Sequence, residues 1–206
     1  MITIGIELNH VVRNVNKQIV KYYDKAYQKD IDIDGIDYTD DPFKIAVFSS
    51  KHEKNNFIFI DYPYEIFGCA DTMETRLAVK ITNWLTDASD IEDEDIRIVF
   101  YSLGEEALSI QSTYFFLSKI GARVREVFFP KKDEEVWDKC DVVITANKDI
   151  LSSVPQGKKA VMISRKFNED FQGDVYKKYG NLSEVIEDNN FFKELLNKDA
   201  KKQDNC

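Results

Sequence analysis

Apolar positions along the chain alternate between strand-like runs and helix-like stripes. Residues 2–8 (ITIGIEL) form a β-branched apolar run of strand length, and residues 15–27 follow with Val15, Ile19, Tyr22, Tyr23 and Ala26 on one face at helical spacing. After an interruption, RIVFYS (97–102) again has the pattern of a buried strand. EEALSIQSTYFFLSKIG (105–121) predicts a helix stopped by Gly121, and RVREVFF (123–129) a strand. The alternation continues with a short helix in PKKDEEVWDKC, a strand at 141–145, a helical turn in NKDILSSV and a strand at 159–164. Residues 182–197 predict one or two helices, and the polar tail 198–206 is expected to fray. This succession predicts a parallel sheet covered by helices on both faces.

The interruption spans roughly residues 30–92. An Asp-rich stretch (DIDIDGID) is followed by KIAVFSS, the polar turn HEKNN and the run FIFIDYPYEIF. Two β-rich runs about a short polar turn predict a hairpin. Residues 72–89 return to helical spacing, with Leu77, Ile81, Trp84 and Leu85 on one stripe, and 90–95 form an acidic connector. The expected organisation is one α/β domain over 1–197 with an inserted α/β segment. Within FIFIDYPYEIFG (57–68), Phe57 and Phe59 fit a hairpin core. Tyr62, Tyr64 and Phe67 flank Pro63, which interrupts strand pairing and favours an exposed turn, so they are candidate protein-interface anchors as well as candidate core.

Composition narrows the function classes. A chain of 206 residues is long enough to bury a full core, and 43% hydrophobic with 32% charged residues describes a globular protein with a well-solvated surface. A net charge of −9 argues against general nucleic-acid binding. No apolar run approaches the roughly 20 residues that span a bilayer, and no basic stretch leads an apolar signal core. The expectation is a soluble protein that is neither membrane-spanning nor secreted. Cys69, Cys140 and Cys206 have no paired spacing, which fits a reducing compartment better than a disulfide framework or a zinc site.

In a sheet of this kind chemistry sits at the carboxyl ends of the strands. The first strand ends Glu7-Leu8-Asn9-His10, the next ends at Ser102 before Leu-Gly, FFPKKDEE carries Lys131 and Lys132, and DVVITANKD places Thr145, Ala146 and Asn147 at the end of a later strand. This layout resembles the haloacid dehalogenase-like superfamily, in particular its deoxyribonucleotidase-like branch, and the similarity extends to phage-encoded members. The resemblance implies a Rossmann-like sheet of five parallel strands in the order 5-4-1-2-3. It implies a nucleophile at Glu7, an acid and base at Asn9, phosphate contacts at Ser102 and Lys131 or Lys132, and magnesium-supporting carboxylates near Asn147. The departures fall on the chemistry. Glutamate at position 7 displaces the attacking oxygen by a methylene, an amide at Asn9 cannot exchange a proton, and Ala146 and Asn147 offer no carboxylate to a hard cation.

Each residue also has a structural role open to it. Ser102 suits a turn or helix cap, the lysine pair a solvated surface, His10 either a substitute base or a local hydrogen bond, and Asp141 a place at the far end of the sheet. The leading expectation is therefore a catalytically inactive scaffold or assembly protein with the vestigial site Glu7, Asn9, Ser102, Lys132 and Asn147. No metal or cofactor is expected, the partners are other proteins in an oligomeric assembly, and the location is the bacterial cytoplasm or a phage virion. The alternatives are a magnesium-dependent nucleotidase or phosphatase, and a non-catalytic binder of phosphate ligands.

Overall fold

Strand β1 (Ile2–Glu7) takes the centre of the sheet because Ile4, Gly5 and Ile6 are buried on both of its faces. The structure is a computed structural model and describes residues 1–90, 96–121 and 123–200. Around β1 lie β2 (Ile96–Tyr101), β3 (Val127–Phe128), β4 (Val142–Thr145), β5 (Lys159–Ile163) and β6 (Lys177–Tyr179), all parallel, in the order β3-β2-β1-β4-β5-β6. The five expected strands stand in the expected order, and β6 makes the sheet six-stranded. Its sequence, KKY, has no apolar pattern to reveal it, and lysines suit an edge strand that must not recruit another chain.

The period-2 alternation divides the core in two. Ile4, Ile6, Phe100, Val142, Ile144, Val161 and Ile163 face helices α3 (Leu77–Asp90), α4 (Ala107–Ile120), α7 (Leu182–Glu187) and α8 (Phe191–Ala200). Val99, Tyr101, Val143, Ala160 and Met162 face α5 (Asp133–Lys139) and α6 (Lys148–Ser152) on the other side. Gly5 also points that way, and a Cβ there would lie 2.5 Å from Cys140 Sγ.

Helix α1 (Val15–Tyr27) has the expected bounds and carries the inserted segment. Val15, Ile19 and Tyr23 pack with Ala46, Phe57, Ile58, Ile66 and Phe67 in a third, aromatic cluster. The expected hairpin is absent. After α2 (Lys51–Asn56), residues Phe57–Asp61 and Tyr64–Gly68 form wide helical turns, closed by Tyr62 N to Phe57 O at 3.1 Å and Cys69 N to Tyr64 O at 2.9 Å. Pro63 has no N–H to offer a ladder. Phe57, Phe59, Tyr62 and Phe67, which suggested a strand, instead pack in the cluster against α1, while Tyr64 stays exposed.

Smaller corrections have similar causes. Helix α3 begins at Leu77 and not at 72, after Arg76 at φ 61°, and β3 keeps only two residues of the expected 123–129. Of the acidic connector expected at 90–95, Asp90 ends α3 and 91–95 lie outside the described residues; of the tail expected at 198–206, residues 198–200 belong to α8 and the remainder lies outside the described residues. Among those described, no helix is long and apolar enough to cross a membrane.

Gly5→Ala should destabilise the fold by about 1–3 kcal/mol through overpacking, and adding Cys140→Ala should recover most of that loss. Urea melts of the two variants check it. An undiminished Gly5→Ala protein would contradict the close approach of β1 and Cys140.

Candidate functional site

The site is built by a sharp turn after β1. Val12 N and Arg13 N both donate to Leu8 O, at 3.0 and 2.9 Å, and His10 N donates to Arg13 O at 3.0 Å. The turn requires His10 at φ 65°, a left-handed conformation that a non-glycine residue adopts only when its surroundings hold it. Arg165 Nε donates to His10 O at 2.8 Å, and the His10 ring meets the edge of Phe167 with centroids 5.2 Å apart. His10 therefore has a structural position. Burial, with help from Arg165 and Arg13, lowers its pKa to about 4, so it is neutral at pH 7.

The turn folds Arg13 back over the strand ends, where it is 0% exposed. A buried guanidinium must have its N–H groups bonded. Nε donates to Asn9 Oδ1 at 2.7 Å, Nη1 to Thr113 Oγ1 at 2.6 Å and more weakly to Phe67 O at 3.4 Å, and Nη2 to Ser102 Oγ at 3.2 Å. Nη2 also forms an ion pair with Glu105, which is itself 0% exposed and accepts the Thr113 hydroxyl. The guanidinium carbon lies 4.9 Å from the Phe67 ring centroid and 5.6 Å from that of Phe116. Asn9 Nδ2 completes the group by donating to Ser102 Oγ at 3.1 Å.

Glu7 is held separately. Its Oε2 accepts from Thr145 Oγ1 at 2.5 Å and from Ala146 N at 3.0 Å. Burial nonetheless dominates and pushes the carboxyl from 4.5 to about 7, only partly offset by these donors and by Arg165. Glu7 thus exchanges its proton near neutral pH. It contributes to the wall of a cavity of about 610 Å³, whose apolar side is formed by Ile19, Ile58, Phe59, Phe67 and Phe167. That volume lies within the range of small-molecule sites.

The structure thus brings together Glu7, Asn9, Ser102 and Asn147 at the expected end of the sheet, with Asn9 and Asn147 beside Glu7 in the cavity wall. Asn147 caps α6, its Oδ1 accepting from Asp149 N at 2.8 Å. Lys132 is exposed at the start of α5, and it is Lys131 whose ammonium reaches the cluster, donating to Glu105 O. Asp141 lies at the opposite end, where its carboxylate accepts from Thr3 N at 2.8 Å. Phe67 is 4% exposed and stacks on Phe59, and Tyr62 packs on Phe57, so both belong to the inserted core. Tyr64 is 48% exposed.

Sequence reasoning missed Arg13, Glu105, Thr113 and Arg165. One signal was available for Arg13, a lone cation between Val11, Val12 and Val15 that burial would force to find a partner. Magnesium, which the resemblance implies, does not fit these residues. The Oδ1 atoms of Asn9 and Asn147 and Oε2 of Glu7 are already accepting hydrogen bonds, and the Arg13 guanidinium, a cation, bonds Asn9 and Ser102. Among the described residues no group of three His, Cys, Asp or Glu side chains could hold an ion.

The fold is shared with a solved dehalogenase structure. A crystallised dehalogenase matches with a TM-score of 0.53 and 11% identity, over 90% of this chain and 95% of its own. A haloacid dehalogenase-like hydrolase from Burkholderia xenovorans LB400 gives 0.47 and 8% over 91% and 96%, and a HAD phosphatase from Thermococcus onnurineus 0.43 and 13% over 90% and 96%. At 11% identity the likeness to the dehalogenase is one of fold alone. No family model matches the sequence, and no curated protein matches it.

Arg13→Met should cost about 3–5 kcal/mol, because it strands the Glu105 carboxylate, and Arg13→Met with Glu105→Gln should recover a substantial part. Chemical denaturation of the three proteins checks this, and additive losses would contradict the pairing.

A second expectation concerns pH. The Glu7 pKa is raised on folding, so its stabilisation is full below 4.5 and is lost as pH rises through about 7. His10 has the opposite sign, full above 6.5 and lost as pH falls through about 4. Glu7→Gln isolates the first effect. Relative to this variant, the wild type should lose about 3 kcal/mol between pH 4.5 and 7. Parallel pH–stability curves would refute the buried, proton-binding carboxyl.

Proposed function

We propose that this chain is a catalytically inactive protein of haloacid dehalogenase-like fold, kept for its contacts with other proteins as a scaffold or assembly component, such as a part of a phage virion. One observation carries the reading. Arg13 occupies the space between the ends of β1 and β2 and bonds both Asn9 and Ser102, the side chains that the resemblance assigns to proton transfer and phosphate contact. Ser102 is wholly buried beneath them. A phosphate reaching Ser102 would have to displace a guanidinium whose release leaves Glu105 buried and unpaired, a cost that recurs with every binding event. The Asn9 amide does not titrate in the range where it could serve as acid or base, and Asn147 serves as a helix cap. The residues at these positions are engaged in holding the fold.

A second reading, a non-catalytic ligand binder, draws support from the cavity of about 610 Å³ and from a Glu7 carboxyl that titrates near neutrality inside it. Both readings exclude turnover.

Purified protein incubated with magnesium and either para-nitrophenyl phosphate or a panel of nucleoside monophosphates should release no phosphate above blank. Turnover that is lost in Glu7→Gln would overturn the proposal. Calorimetric titration with the same compounds separates the two readings, since saturable heat without turnover supports the binder and no heat supports the scaffold.

A further inference from the structure

The cavity of about 610 Å³ at the strand ends carries more unanswered negative than positive charge. Its wall holds the carboxylates of Glu7, Asp41 and Asp149 against the ammonium groups of Lys54 and Lys148. Lys148 is paired with Asp170, which lies outside this wall, and Lys54 sits over the Phe43 ring, 3.8 Å from its centroid. The two arginines near the site are engaged elsewhere. Arg13 is 0% exposed and paired with Glu105. Arg165 donates to the carbonyls of His10, Ser164 and Gly180, and the carboxylate that acts on it most strongly is Glu74, ahead of Glu7. His10, neutral above its pKa of about 4, adds no cation at pH 7. An anion entering the cavity is met by Lys54 alone, while the chain's net charge of −9 draws cations and repels anions.

The buried groups that still lack partners are acceptors. A carboxylate has about four acceptor sites, and Thr145, Ala146 and the backbone N–H of Asn147 do not fill those of Glu7. Asn16, 1% exposed, stands in the same wall. Its Nδ2 donates to the carbonyls of Tyr38 and Asp40, each at 3.0 Å, and its Oδ1 is buried with no hydrogen bond. A ligand N–H removes the cost of such an acceptor. The remaining wall, with Ile19, Ile58, Phe59, Phe67 and Phe167, suits an apolar body. We propose that this cavity binds an organic ammonium ion, a primary amine on an aromatic body, with Glu7 as its counter-ion. The inference rests on the reading of the chain as a non-catalytic ligand binder and names the chemical class of the ligand. An ammonium brings three N–H donors to acceptors that the protein leaves open. Its charge also relieves the cost of ionising a buried carboxyl, and the phenylalanine faces attract it.

Tryptamine, tryptophol and indole-3-propionate carry an ammonium, a hydroxyl and a carboxylate on the same two-carbon arm, so they differ in the head group alone. Calorimetric titration of the purified protein is made at about pH 8, above the pKa of about 7 to which burial raises Glu7. Tryptamine should saturate with a Kd on the order of 100 µM, tryptophol should bind at least tenfold more weakly, and indole-3-propionate should not bind. Glu7→Gln should weaken tryptamine at least tenfold and leave tryptophol unchanged. Lys54→Gln, which removes a positive charge from the same wall, should strengthen tryptamine binding severalfold, an effect that damage to the fold does not produce. A wild-type protein that binds tryptamine no better than tryptophol, or a Glu7→Gln protein with unchanged tryptamine affinity, would overturn the inference. Binding of indole-3-propionate or a nucleoside monophosphate without tryptamine would overturn it too, while leaving the binder reading in place. If none of these compounds binds, the inference and the binder reading both fall and the scaffold reading stands alone.

Discussion

A buried arginine cannot stay in an apolar interior unless its charge and N–H groups are matched, and meeting that requirement at Arg13 draws four parts of the chain to one point. Asn9 comes from the turn after β1, Ser102 and Glu105 from the end of β2, Thr113 from α4, and the carbonyl of Phe67 from the inserted segment. Removing two charges from water costs several kcal/mol per ion, and the pair offsets that cost only with nearly complete hydrogen bonding. The consequence is geometric specificity. The turn at His10, the approach of α4 to the inserted segment and the position of Phe67 over the strand ends each depend on the guanidinium being satisfied.

The same group sets the chemical character of the site. In this fold the strand ends are open to whatever side chains the loops supply, and here they supply an internal cation with its own internal anion. Glu7 lies close by but is tied to Thr145 and Ala146, where burial favours its neutral form. Two titratable side chains, Glu7 and His10, are thus both shifted by burial towards neutrality, and their contributions to stability oppose each other across mildly acidic pH.

A site committed to internal bonds shifts attention to the surface. The inserted segment and α4 meet along a seam so tight that a Cβ at Gly68 would lie 3.3 Å from Phe115 and from the carbonyl of Ser112. The seam joins the aromatic core of the insertion to the uncharged face of α4. The buried arginine fastens its inner side, through Thr113 and Phe67, and Tyr64 and Phe115 form its outer side. The same packing therefore determines both the closed site and the exposed aromatic edge at Tyr64 and Phe115.

The sequence by itself determined five strands of the sheet but not its sixth. Those strands are local β-branched apolar runs, largely buried, that can be read without knowing their neighbours, and α1 carries a helical stripe of the same legibility. It also determined that Glu7, Asn9, Ser102 and Asn147 share one end of the sheet, because parallel order puts every strand terminus on the same edge. Tertiary structure alone decided the rest. The aromatic run at 57–68 has strand-like composition and folds as wide helical turns because the nearest apolar surface is the face of α1. KKY becomes β6 only because β5 presents an unpaired edge beside it. The Arg13 network joins residues about 90 to 100 positions apart, and no local pattern announces such a partnership, because the energy that binds the charges exists only once the fold has excluded water from around them.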